Sequence, residues 1–191
     1  MKLLLLVSAL LLAAAPGTKP PVVIITTSLG EIQVQLDPVH APITTKNFLR
    51  YVDHGHYQGA RFHRTVTLGN QPDKQVKIEV IQGGVNPSQA KKDFPPIKLE
   101  RTNQTGILHR DGTISMARDG ADTATSDFFI CVGDQPQLDF GGQRNPDGQG
   151  FAAFGRVTSG MDIVRKIQRS RDKDQTLTPP IIIASIKRAR K

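Results

Sequence analysis

With 191 residues, 38% of them hydrophobic and 22% charged, the chain is long enough to bury one sizeable core and too patterned to be disordered. A net charge of +8 would suit nucleic acid or an anionic surface, yet the basic residues are dispersed, with one dense group (Lys187, Arg188, Arg190, Lys191) at the end, and no zinc-ligand spacing, phosphate loop or aromatic ladder accompanies them. Nucleic acid is therefore not an expected partner, and the single cysteine, Cys131 between Ile130 and Val132, excludes an intrachain disulfide and reads as a small buried apolar residue.

Lys2, an apolar run over residues 3–12 and then Ala13, Ala14 and Ala15 have the form of a secretory signal, too short to cross a ~30 Å hydrocarbon core as a helix. Cleavage after Ala15 would leave Pro16 next to the cut, and cleavage after Gly17 would keep small residues before it. The expected organisation is a signal over 1–17 and one domain over 18–191. A bacterial protein of this kind would be periplasmic or secreted, without stable membrane insertion, and a monomer.

Residues 22–27 and 32–36 read as two strands around a tight turn, since Ile32, Val34 and Leu36 alternate with polar residues. Pro42 opens a helix in which Phe48, Leu49 and Val52 recur at helical spacing, and His54-Gly55 ends it. Further strands are expected over 60–66, 76–82, 97–99, 113–116, 128–132, 152–157 and 181–187. A second helix is expected over 161–168, where Met161, Val164 and Ile167 share a face. Two helices among eight or nine short strands predict a mainly β fold, a closed antiparallel barrel.

Seven words run through this frame: Phe62-His63-Arg64; Gln82-Gly83-Gly84; Gly112-Thr113-Ile114-Ser115-Met116-Ala117-Arg118; Ser126-Asp127-Phe128-Phe129-Ile130; Leu138-Asp139; Phe151-Ala152-Ala153-Phe154-Gly155-Arg156-Val157; and Gly160-Met161-Asp162-Ile163-Val164. In this order and spacing the chain resembles the cyclophilins, most of all their bacterial periplasmic members, from about residue 22 to 189. Any one word is weak; seven in register are strong. The resemblance implies an eight-stranded antiparallel barrel closed by two helices, and peptidyl-prolyl cis-trans isomerase activity on proline-containing polypeptides, with no metal or cofactor.

That reaction is rotation about an X-Pro amide, opposed by resonance worth ~18–20 kcal/mol, and no bond need be made or broken. A catalyst need only favour the twisted state, whose pyramidal prolyl nitrogen accepts a hydrogen bond. The resemblance makes Arg64 the catalytic arginine, a donor that stays protonated, and Gln82 the residue that holds the substrate backbone. It places Phe129, Leu138 and Val80 around the proline ring, Ala117 on the groove, Asp127 where a glutamine is usual and Phe151 where His or Tyr is usual. Taken singly, Arg64 could be a surface ion-pair residue, Phe129 and Leu138 plain core, and Gln82 a strand cap; their joint occurrence carries the assignment.

The chain also departs from the family pattern. About ten residues over 67–76 are added between Arg64 and Gln82, which puts Glu79 where a pocket phenylalanine is usual. If the insertion shifts the register, Val66 or Leu68 would fill the space; otherwise the pocket is shallower. Asp127, acceptor-only when ionised, would pair with Arg64 and draw it from the prolyl nitrogen, in which case Asp127→Gln should raise turnover. Gln137 replaces an aromatic residue before Leu138, which would weaken cyclosporin-type ligands. These departures leave a second function open, a binding module for Pro-containing segments that turns them over poorly. Of the histidines, His54 and His56 have no convincing metal-ligand spacing, and His109-Arg110-Asp111 lacks the words that would make it a kinase loop.

Overall fold

The first two strands, β1 (Val22–Thr27) and β2 (Gly30–Leu36), are antiparallel with Val23 opposite Val34 and Ile25 opposite Ile32, so the alternating apolar residues stack on one face. The structure is a computed structural model that describes residues 19–86, 88 and 93–190; the expected signal over 1–17 lies outside the described residues. The remaining strands are β3 (Ala60–Val66), β4 (Val80–Gly84), β5 (Thr113–Met116), β6 (Phe128–Cys131), β7 (Ala152–Ser159), β8 (Asp172–Lys173) and β9 (Thr176–Arg188). Their order is β1-β2-β7-β5-β6-β4-β3-β9, and β9 pairs again with β1. Eight antiparallel strands thus close a barrel with no free edge, while β8 is only a short hairpin arm on β9.

Among the described residues three α-helices accompany the barrel: α1 (Pro42–Asp53), α2 (Thr102–Thr105) and α3 (Met161–Gln168). The first and third were expected; α2 is a single turn, too short to leave a periodic signal. Pro42 stands at the start of α1, where its missing N–H costs nothing, and Glu100 accepts the N–H groups of Ile43 (3.0 Å) and Thr44 (2.8 Å). Gly160, ahead of α3, has φ +91°, and a Cβ there would strike the Glu31 carbonyl.

Two apolar clusters result. Inside the barrel Phe48 of α1 meets the rings of Tyr57, Phe128 and Phe154, joined by Val164 and Ile167 of α3. Outside it lies a smaller cluster of Val66, Ile78, Val80, Phe129, Cys131 and Leu138. Strand alternation separates them: Phe128 points in and Phe129 out, Ile81 in and Val80 and Gln82 out. Cys131 is fully buried and burial pushes its thiol far up, in keeping with an inert apolar role.

Several expected strands changed: the last, β9, begins at Thr176 rather than 181, and the short β8 was not expected. The fourth begins at Val80 rather than 76, because the added segment preceding it folds on its own polar contacts. Residues 97–99 supply one bridge, Ile97 to Ala124, instead of a strand.

Candidate functional site

The outer cluster floors a cleft of about 550 Å³ whose lining includes all eight residues singled out in the sequence: Arg64, Gln82, Phe129, Leu138, Val80, Ala117, Asp127 and Phe151. Of these, Arg64 reaches the cleft only through an irregularity in its strand. Strict alternation along β3 would send it inward with Ala60 and Phe62, which are core residues. A register shift between Phe62 and Arg64, against both β4 and β9, turns it outward instead, opposite Gln82.

Two glutamines hold the guanidinium. Its Nη1 donates to Gln82 Oε1 (3.0 Å), and Nε (3.0 Å) and Nη2 (2.6 Å) donate to Gln175 Oε1. Three of its five N–H groups are thereby engaged by neutral acceptors and two remain for another partner. Arg64 forms no ion pair among the described residues. Burial, and then the charge of Arg144, press its pKa below the usual guanidinium value. An arginine so held is a preorganised donor with its charge unspent on a carboxylate.

Gln175 was not anticipated. It comes from the β8–β9 turn, where Asp174 (φ +50°) and Gln175 (φ +69°) both occupy the left-handed region that usually takes Asn or Gly. Its Nε2 donates to Asn70 O (3.0 Å), so the added segment over 67–76 reaches Arg64 through it. Within that segment Gln71, 1% exposed, donates through Nε2 to Thr67 O (2.6 Å) and Ile78 O (2.8 Å).

The expected grip of Asp127 on Arg64 is absent. Gln82 stands between them, donating from Nε2 to Asp127 Oδ2 (3.2 Å) while its Oε1 accepts from Arg64, and Asp127 faces His63 (3.6 Å). The carboxylate therefore orients the glutamine amide rather than withdrawing the arginine. Gly84 leaves room for it, since a Cβ there would collide with the Asp127 carboxylate.

Glu79 also differs from expectation. It turns from the cleft and accepts from Gln168 Nε2 of α3 (3.1 Å). Ile78 lines the cleft beside Val80, Val66 joins the floor beneath, and Leu68 is exposed. Phe151 sets its ring edge-on to Phe129 (centroids 5.4 Å apart) with the Arg118 guanidinium 5.0 Å away, and Gln137 accepts from the Gln143 backbone.

Under Phe129, His109 stacks at 5.8 Å and bonds Asp139 Oδ1 through Nδ1 (2.7 Å) and Ser115 Oγ through Nε2 (3.0 Å). The order resembles a nucleophilic triad, but Ser115 is fully buried, so these groups brace the floor. Among the described residues no group of three or more His, Cys, Asp or Glu side chains is placed to hold a metal.

A family model described as cyclophilin type peptidyl-prolyl cis-trans isomerase/CLD matches residues 22–188. The chain belongs to the cyclophilins. Peptidyl-prolyl cis-trans isomerase A of Dickeya dadantii (strain 3937) is 40% identical over 170 residues, 85% of this chain and 81% of that protein. Peptidyl-prolyl cis-trans isomerase B of Escherichia coli (strain K12) is 36% identical over 144 residues, 74% of this chain and 80% of that protein. The fold is shared, at 24% identity, with a cyclophilin type isomerase of Cryptosporidium parvum crystallised in the presence of the dipeptide Ala-Pro, with a TM-score of 0.71 over 89% of this chain and 99% of that one.

In this cyclophilin the Asp127 pKa is raised above its ordinary 3.8, chiefly by burial, with His63 and the Gln82 bond opposing. The folded chain then binds the proton more tightly than the unfolded one, so charging Asp127 costs stability above its folded pKa. That cost is relieved as pH falls through the folded pKa toward 3.8. Asp127→Asn, which keeps an acceptor for Gln82, should be the more stable protein at pH 7, with its advantage shrinking toward pH 4. The effect is modest because the carboxylate is 40% exposed. Urea titrations across that range read it, and an advantage that is constant or grows on acidification would refute the assignment.

Proposed function

We propose that this cyclophilin catalyses rotation about X-Pro bonds with Arg64 as the donor to the prolyl nitrogen. The observation that carries the reading is the Arg64 guanidinium, held by Gln82 and Gln175 beside an apolar floor with two N–H groups uncommitted. The proline ring lies on Phe129, Leu138, Val80 and Ile78. Gln82 offers its amide to the neighbouring backbone, and Ala117 leaves room for the chain to pass. Burial of the ring contributes roughly 25 cal/mol per Å² of apolar area before the costs of binding. Selective bonding to the twisted nitrogen contributes about tenfold in rate per ~1.4 kcal/mol.

The reasons for a poorly active binding module have weakened, since Glu79 faces α3 and Asp127 does not hold Arg64. The substrates on this reading are exported proteins met in the periplasm or outside the cell, which the signal-like residues 1–17 support, and the chain acts on them as a monomer. NMR exchange of a short X-Pro peptide should show acceleration by the chain. A folded chain that leaves exchange unchanged would transfer the role to binding of Pro-containing segments.

A further inference from the structure

The cleft carries charges that isomerisation of a plain X-Pro bond does not use. Four cations line it: Arg64, Lys74, Arg118 and Arg144. Arg118 is neutralised by Asp147, through Nη1 (2.8 Å) and Nη2 (3.0 Å). The other three form no ion pair among the described residues. Lys74 belongs to the added segment and Arg144 to the long connection between β6 and β7. Arg144 ties the two together, its Nη1 donating to Gln71 Oε1 (2.8 Å) and Val76 O (2.7 Å), while its Nε and Nη2 bond no described residue. Beside it, Asn145 Nδ2 is buried without an acceptor.

Partly burying a guanidinium with a second one nearby is unfavourable without an anion. Burial lowers the Arg144 pKa, and the charge of Arg144 in turn lowers that of Arg64. The carboxylates on the same cleft, Asp119 and Asp127, come from the separate connection between β5 and β6, and Asp127 is engaged by His63 and Gln82. The added segment and the β6–β7 connection, with Lys74 and Arg144, thus make a basic wall, and the β5–β6 connection, with Asp119, Asp127 and the neutralised Arg118, an acidic one. A polypeptide with a carboxylate facing the basic wall gains attraction there, and a cation in that place meets repulsion.

We infer that Arg144 and Lys74 form an anion-accepting rim on the prolyl cleft, which selects proline-containing segments with Asp or Glu within two residues of the proline. This rests on the isomerase reading above and adds to it the charge of the preferred substrate.

The test uses peptides of one length with Glu, Gln or Lys placed one residue before, one after or two after the proline. Isomerisation kcat/KM and NMR-titrated Kd are measured for each. For at least one position the Glu peptide should be favoured over the Lys peptide by roughly tenfold at low salt, declining as salt screens the pair. Lys74→Gln combined with Arg144→Gln should reduce that ratio to about twofold or less. Lys74→Gln alone, which breaks no side-chain hydrogen bond, should reduce it in part. Lys187→Gln combined with Arg190→Gln removes the same net charge far from the cleft and should leave the ratio in place.

Equal treatment of Glu, Gln and Lys peptides by the unaltered chain overturns the inference. So does a ratio that survives loss of Arg144 and Lys74, or one that the distant pair abolishes equally, since either assigns it to overall charge. If no peptide is turned over, the isomerase reading fails, and the Kd ratios still decide whether the rim selects acidic segments.

Discussion

Arg64→Ala is expected to lower kcat/KM for prolyl isomerisation by roughly 10²–10³-fold, the usual cost of removing one preorganised donor aimed at developing charge. The loss should fall mainly on kcat, because the bond to the prolyl nitrogen strengthens only as the amide twists. The fold should persist. Arg64 lies outside the barrel core, and the acceptors left behind, Gln82 Oε1 and Gln175 Oε1, are on partly buried side chains that water can reach. Arg64→Lys separates charge from geometry. An ammonium keeps the charge but cannot span two glutamines and still present a donor in a fixed plane, so an intermediate loss is expected. NMR exchange on a peptide substrate, with a urea titration of each variant, reads both effects. Activity of Arg64→Ala within threefold of the parent would remove Arg64 from the mechanism.

Phe128→Ala should cost about 3–5 kcal/mol of stability. Its ring is fully buried and meets Phe48 (centroids 5.5 Å apart), Tyr57 (5.6 Å) and Phe62 (5.8 Å) near-perpendicularly, so truncation opens a cavity where helix α1 joins the barrel. With no disulfide to restrain the unfolded chain, that loss is a large share of the 5–15 kcal/mol typical of a domain. Phe129→Ala, one residue on, faces the cleft and should show the opposite balance, reducing activity more than stability. Urea midpoints paired with isomerisation rates distinguish the two. A cost below about 1 kcal/mol for Phe128→Ala would mean that this ring cluster is not the centre of the core.

Much of this architecture was legible because it depends on local periodicity. Strands β3 and β5 and helix α3 have the bounds their patterns predict, and adjacent residues such as Phe128 and Phe129 divide between core and cleft by the two-residue period of a strand. All eight residues singled out through the resemblance line one cleft. The readings that failed concern where a side chain points after an irregularity. Counting back from Gln82 puts Glu79 in the pocket, and the position the resemblance gives Asp127 pairs it with Arg64, but the added segment folds back on Gln71, and Gln82 comes between Asp127 and Arg64.

The sequence by itself determined the barrel class, the two longer helices and the residue types available for proline chemistry, because alternation and composition are properties of neighbouring residues. Only the tertiary structure decided that a bulge at His63 turns Arg64 outward, that Gln175 reaches it from 111 positions away, and that Arg144 joins two loops over the cleft. Those contacts depend on how closed strands bring distant turns together. A polar side chain in a turn carries no local sign of the partner it will meet.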